Sequence, residues 1–199
     1  AGMADVFTNV VEVVTREEFE RRLRRGGLGY IGFEPSGFVH IGTGLVCGNK
    51  IKDLEGAGIK MTVLLADWHA MINDKLGGDM TLIGLAAEHL IDALRAVGVG
   101  ARFVYASEIV SDPSYWEKVI RIAKVTTLKR AKRAMTIMGR REEDAELDSS
   151  KILYPFMQVA DIFELGVDCA LAGMDQRKAH MLAREAAERL GYRKPICIH

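Results

Sequence analysis

Leu28-Gly29-Tyr30-Ile31-Gly32-Phe33, running on into Glu34-Pro35-Ser36-Gly37-Phe38-Val39-His40-Ile41-Gly42-Thr43, is the stretch on which the fold turns. The apolar run reads as a short buried strand. Pro35-Ser36-Gly37 is turn chemistry, and Ile41 to Ala57 then carries the apolar spacing of a helix closed by Gly58. A strand, a tight turn and a helix in this order form the first half of a crossover unit. The backbone amides of such a helix N-terminus attract phosphate. His40 can donate to phosphate oxygens, and Gly42 lets a flat base or a phosphate approach the chain. The pattern is neither a Walker loop nor a G-x-G-x-x-G fingerprint, so those nucleotide folds are disfavoured.

Working outward, the alternation continues. Upstream, Thr15-Arg16-Glu17-Glu18 has capping-box spacing, in which the Thr hydroxyl and the Glu carboxylate satisfy free amides reciprocally. Phe19 and Leu23 face inward on that helix, and Gly26-Gly27 ends it. Downstream, Met61 to Ala66 is a strand, Leu82 to Val97 a helix and Arg102 to Tyr105 a strand. A long charged helix is expected from Tyr115 to Arg141, followed by a polar loop over Glu142 to Ser150. Helices near Ile152 to Leu165 and Gln176 to Leu190 flank a strand at Asp168 to Ala172, and Pro195 to His199 begins a last one. Short strands separated by helices imply parallel pairing through right-handed crossovers. The expectation is an α/β fold, a Rossmann-like doubly wound parallel sheet with a helical insertion at about 112–150. Its ligand site should lie at the carboxyl ends of the strands. There Glu34 to Gly42, Asp67 to Asn73 and Gly173 to Lys178 converge on one edge.

Composition narrows the class. With 199 residues, 49% of them hydrophobic, the chain can bury the core of one ordinary domain. Charged residues make up 27% and balance to zero net charge, which excludes a disordered polyelectrolyte. No apolar run approaches the roughly 18–20 residues of a membrane span. Ala1 to Thr15 has no basic start followed by a continuous apolar stretch, so it does not read as a signal peptide. Cys47, Cys169 and Cys197 are far apart and odd in number, against a disulfide framework or structural zinc and for a reducing, cytoplasmic setting. No His/Cys/Asp grouping has zinc spacing, so no protein-bound metal is expected. A polyanion partner would need a local basic patch.

Several residues have two readings on pattern alone. Tyr30 is a strand aromatic for the core or a ligand for a polar group. Asp161 follows Gln158 by three positions, on one helical face, and is a solvated edge or a site. Asp67 and Asp175 are N-caps or ligands. His89 and His180 read as structural residues on helices. The cations Lys124, Lys129, Arg130, Lys132, Arg133, Arg140 and Arg141 are a solvated face or a contact surface. Thr127, Leu128, Ala131, Ala134, Met135 and Met138, interleaved with them, form an apolar stripe suited to a partner helix. Arg21, Arg22, Arg24 and Arg25 read as solvated surface.

His40-Ile41-Gly42-Thr43 resembles the HIGH signature of the class I aminoacyl-tRNA synthetases, with Thr43 where the second imidazole would stand. Tyr30-Ile31-Gly32-Phe33-Glu34-Pro35-Ser36-Gly37 is similar to the archaeal/eukaryotic tyrosyl-tRNA synthetases. So are Leu64-Leu65-Ala66-Asp67-Trp68-His69-Ala70, Thr126-Thr127-Leu128-Lys129-Arg130-Ala131, Tyr154-Pro155-Phe156-Met157-Gln158-Val159-Ala160-Asp161-Ile162 and Gly173-Met174-Asp175-Gln176-Arg177-Lys178. The resemblance covers essentially the whole chain, 1–199, as a catalytic domain. The family's KMSKS loop and anticodon-binding domain would lie beyond His199, so this chain alone is expected to activate tyrosine poorly.

The resemblance implies a ligase that joins L-tyrosine to ATP, releasing pyrophosphate, and passes the tyrosyl group to tRNA(Tyr). It implies Mg2+ with the ATP, and a homodimer through the insertion around Thr127–Met138 whose flanking cations border the tRNA. His40, Gly42 and Thr43 take catalytic places by that analogy, and His40, Gly42, Gly173 and Asp175 hold ATP. Tyr30 and Asp161 meet the substrate phenol, and Tyr154, Gln158 and Gln176 its ammonium and carboxylate end. Gly32, Glu34, Leu64, His69 and Glu108 complete the tyrosine pocket. A phenylalanine substrate would leave the phenol-directed groups unpaired, the known basis of such discrimination. The alternatives are a tryptophanyl relative, a nucleotidylyltransferase with the same His-x-Gly turn, and a non-catalytic RNA-binding derivative.

Overall fold

The computed structural model describes residues 3–37, 41–141 and 147–199, with backbone alone for 3, 4 and 41–43. In chain order the elements are α1 (Met3–Val6), β1 (Val13–Val14), α2 (Arg16–Leu23), β2 (Gly27–Phe33), α3 (Ile41–Gly56), β3 (Ile59–Leu65), α4 (Asp67–Ile72), α5 (Met80–Ala96), β4 (Arg102–Tyr105), α6 (Ala106–Ile109), α7 (Pro113–Lys124), α8 (Leu128–Ala134), α9 (Leu153–Leu165), β5 (Cys169–Leu171), α10 (Arg177–Leu190) and β6 (Ile196–Ile198). The strands form one sheet in the order β1-β6-β5-β2-β3-β4. All pairings are parallel except β1 with β6.

From β2 the chain builds outward through β3 and β4, and later through β5 and β6 on the other side. The strand order therefore reverses between β2 and β5, where Gly29 pairs with Cys169 and Tyr30 with Ala170. A crevice at such a reversal is where parallel α/β sheets take ligands. Alternation along the strands feeds two cores. Tyr30, Leu64, Val104 and Ala170 face the layer of α7, α9 and α10. Ile31, Val63, Leu65, Cys169, Leu171 and Ile198 face the opposite layer, together with Phe19, Ile51, Leu54, Leu90 and Leu94. A strand buried on both faces explains the nearly continuous apolar runs of the sequence. Gly29 is required at the join: a Cβ there would lie 2.7 Å from Met61 Sδ and 2.9 Å from Cys169 Sγ.

Three local expectations change. The Tyr115–Arg141 helix is two helices, α7 and α8, followed by a 3-10 turn at Met135–Met138. The break lies at Val125-Thr126-Thr127, where Thr127 Oγ1 accepts from Arg130 N at 3.1 Å and so caps a new helix. Thr126 Oγ1 meanwhile donates back to Ile122 O at 2.8 Å. The stripe on α8 is internal: Ala131, Ala134, Met135 and Met138 are buried in the chain's own core, and Leu128 alone among its apolar members points outward. In the capping box at α2 the Thr15 hydroxyl does accept from Glu18 N at 3.1 Å, but the Glu18 carboxylate is engaged by Arg184 at 2.7 Å. Of the polar loop expected at Glu142 to Ser150, residues 142–146 lie outside the described residues, and Ser149–Ile152 is a 3-10 turn. Among the described residues no helix is long and apolar enough to cross a membrane.

Candidate active site

At the carboxyl edge of the sheet a cavity of about 540 Å³ opens over the β2/β5 crevice. Strand β2 brings Tyr30, Gly32 and, just past its end, Glu34; β3 brings Leu64; α4, which starts directly after β3, brings His69 and Asn73. The turn after β5 brings Gly173, Asp175 and Gln176. Helix α9 contributes Tyr154, Gln158 and Asp161, spaced four and three apart and hence on one face. Because α9 is buried on nearly every side, its polar face points into the cavity and not to solvent.

Asp161, 1% exposed, is among the most deeply buried polar groups of the cavity. Its Oδ1 accepts from the Tyr115 hydroxyl at 2.8 Å, and its Oδ2 lies 2.8 Å from His69 Nε2. The approach of His69 is close enough for an ion pair but off the line of a hydrogen bond, and neither buried ring nitrogen has a hydrogen-bond partner among the described residues. Burial alone would push the His69 pKa down; the Asp161 charge, aided by Glu34 and Asp67, outweighs it and raises the pKa. The Tyr30 hydroxyl is pushed well up by burial and by the same carboxylate. Tyr30 and Asp161 thus line one cavity, and the phenol feels the charge of the carboxylate.

The other wall is a chain of amides and carboxylates. Gln158 Nε2 donates to Gln176 Oε1 at 3.0 Å, and Gln176 Nε2 donates to Ile137 O at 3.0 Å and Asp175 Oδ2 at 3.2 Å. The Tyr154 hydroxyl donates to Glu34 Oε1. Burial, then the Glu34 charge, lifts the Tyr154 pKa well above its ordinary value. Asn73 Nδ2 reaches Glu34 Oε1 and Oε2 at 3.2 and 3.1 Å and Met138 O at 3.0 Å. Arg140 grips Asn73 from behind, Nε to Oδ1 at 2.8 Å and Nη2 to the carbonyl at 2.8 Å. The 3-10 turn after α8 therefore supplies cavity wall through Ile137 and Met138, with Gly139 just beyond it.

Not every expected residue arrives here. Glu108 is exposed on α6 and is not part of the wall, because that short helix turns its side chain to solvent. His40 lies outside the described residues, and for Gly42 and Thr43 only the backbone is described, in the first turn of α3. Asp67 is not the N-cap of α4, a place held by Ala66; its Oδ1 accepts from Trp68 N and from Ser107 N at 2.9 Å, tying α4 to α6. Asp175 likewise does not cap: Gly173 precedes its 3-10 turn. His180 does line the cavity, its Nδ1 2.8 Å from His199 Nε2. Asn73 ends a cluster already conspicuous in the sequence, whereas nothing in the sequence signalled Tyr115. No group of three His, Cys, Asp or Glu side chains among the described residues is arranged to hold a metal ion.

A doubly wound sheet with a cavity at its switch point is a ligand-binding architecture, and the chain belongs to the class I tRNA synthetases (W and Y), whose family model matches residues 28–199. Within that family its relatives are tyrosine–tRNA ligases. It is 57% identical over 196 residues to that of Aeropyrum pernix, covering 96% of this chain and 54% of the relative. It superposes on the crystal structure of tyrosyl-tRNA synthetase from Aeropyrum pernix with a TM-score of 0.88 at 51% identity, over 98% of this chain and 59% of the other. The Pyrococcus horikoshii tyrosyl-tRNA synthetase complexed with L-tyrosine gives 0.88 at 43% identity, over 98% and 58%. The chain spans about half the length of the curated relatives it matches.

Proposed function

We propose that residues 1–199 are the catalytic domain of an enzyme that activates L-tyrosine with ATP and then transfers the tyrosyl group to tRNA(Tyr). The observation that carries this reading is that Tyr30 and Asp161 line one cavity, a phenol-matched donor and acceptor. In the proposed pose the substrate phenol meets Tyr30 and Asp161, its ammonium lies toward Glu34 and Tyr154, and its carboxylate toward Gln158 and Gln176. That carboxylate, already ionised at neutral pH, attacks the α-phosphorus of ATP; a P–O bond forms as the bond to pyrophosphate breaks. No general base is needed, so the side chains act by positioning and by stabilising phosphate charge.

The amides around Gly42, with His40 and Thr43, are assigned to the triphosphate, and Gly173 and Asp175 to the ribose. Mg2+ enters as part of the nucleotide substrate, held by its phosphate oxygens. A cytoplasmic setting is proposed on the unpaired thiols Cys47, Cys169 and Cys197. A second copy would dock on the insertion by its outward Ile120 and Leu128, 63% and 66% exposed, and not by the buried stripe. The flanking cations Lys129, Lys132 and Arg133 are left for tRNA.

Calorimetry with tyrosine, tryptophan and phenylalanine tests the substrate. Saturable binding of tyrosine above the other two is expected. Preference for tryptophan would overturn the assignment, and absence of any amino-acid binding would favour a nucleotidylyltransferase. Tyrosine-dependent exchange of pyrophosphate into ATP tests the chemistry in the whole protein.

A further inference from the structure

We propose that Tyr115 is a positioning residue for amino-acid selectivity: from behind the cavity wall it fixes the Asp161 carboxylate in the orientation that meets a phenol. The proposal rests on the tyrosine reading above. Tyr115 is 0% exposed and is not itself a cavity wall among the described residues. Its ring is held edge-on by Trp116, centroids 5.4 Å apart at 81°, and Trp116 is in turn fixed by Nε1 donating to Val110 O at 2.8 Å. Its hydroxyl has two acceptors in reach, Asp161 Oδ1 at 2.8 Å and Met157 O at 3.0 Å. With one proton to give, the charged and nearer oxygen takes it.

A carboxylate offers about four acceptor positions. Here one on Oδ1 is taken by the hydrogen bond from Tyr115 on α7, while Oδ2 is faced at 2.8 Å by His69 of α4, a charge contact that sets no direction, so the orientation falls to Tyr115. The remaining lone pairs are set before any ligand arrives, and a phenol O–H finds its acceptor already oriented. Without the Tyr115 hydroxyl, Asp161 is anchored on one side only, and the ligand must order it on binding. Phenylalanine, which has no O–H to offer, does not share that cost. Tyr115 therefore acts on the difference between the two ligands, not on binding in general.

The experiment is Tyr115→Phe, which keeps the ring and removes one oxygen, with tyrosine and phenylalanine affinities measured by calorimetry at matched thermal stability. Tyrosine affinity is expected to fall roughly tenfold, the scale of one hydrogen bond to a charged group, with phenylalanine affinity unchanged. A second readout adds Tyr115→Phe to Asp161→Asn: if Tyr115 works through Asp161, the pair loses little more selectivity than Asp161→Asn alone. An unchanged tyrosine-to-phenylalanine ratio, equal weakening of both ligands, or full additivity in the double variant each overturns the proposal. If the unsubstituted protein itself does not prefer tyrosine to phenylalanine, the substrate reading has failed and takes this one with it.

Discussion

At position 161 a carboxylate occupies a site that the surrounding helix would otherwise give to an apolar side chain. Met157, Val159, Ala160 and Ile162 beside it are all at most 1% exposed. Asp161→Ala should therefore cut tyrosine affinity by about two orders of magnitude, since buried donors lose their acceptor, while ATP affinity changes little. Equal loss of both in calorimetry would show that the pocket is misassigned. His180 gives a second expectation. Burial, then the neighbouring His199, pushes its pKa down from 6.5 to about 3. Between those values the unfolded chain takes a proton that the folded one refuses, so stability falls as pH drops from about 6.5 toward 3. Glu12, with its own partner Arg177, faces the His199 side of this pair and does not reach His180. His69, whose pKa is raised, acts in the opposite sense over this window, so the check is comparative: His180→Asn should lose less, or gain more, melting temperature between pH 7 and pH 4.5 than the unsubstituted protein. Of these residues the sequence made Tyr30, Gln158 and Asp161 legible as candidates. It did not say whether Asp161 faced solvent, because a helix's inward side is set by what covers it.

Among the elements, those with strong local chemistry were readable and those set by packing were not. Strand β4 falls where its apolar run does, and α2 begins directly after its capping residue Thr15, as the cap spacing requires. The α7–α8 break was hidden because Val125, Thr126 and Thr127 do not forbid a helix; the capping bond at Thr127 tips the balance locally. Thr127→Ala should cost about 1 kcal/mol, read as a lower denaturant midpoint. It should also loosen Met135–Met138 and so the Ile137 carbonyl on which Gln176 rests. A midpoint unchanged within error would mean that α8 is held by Ala131 and Ala134 burial alone. Strand β1 was missed for a different reason: Val13 and Val14 are half-buried and only two long, too little pattern to separate from loop.

For the whole molecule, the sheet's reversal at β2/β5 decides where chemistry is placed, and it depends on close approach at Gly29. Gly29→Ala should destabilise by about 1–3 kcal/mol through overpacking against Met61 and Cys169, measured by thermal melting. A neutral result would mean that the two halves of the sheet can part without loss. The doubly wound class followed from the alternation of runs. The cavity's far wall did not, because Ile137, Met138 and Gly139 reach it from the segment after α8, whose path only tertiary contacts fix.

The antiparallel pairing of Val13–Val14 with Cys197–Ile198 has a consequence for biosynthesis. Strand β1 cannot find its neighbour until all the intervening chain through β6 has been translated. Strands β2, β3 and β4 can assemble while the ribosome is still at work. Strand β1 must wait, and the closing of its edge of the sheet follows the assembly of those three strands.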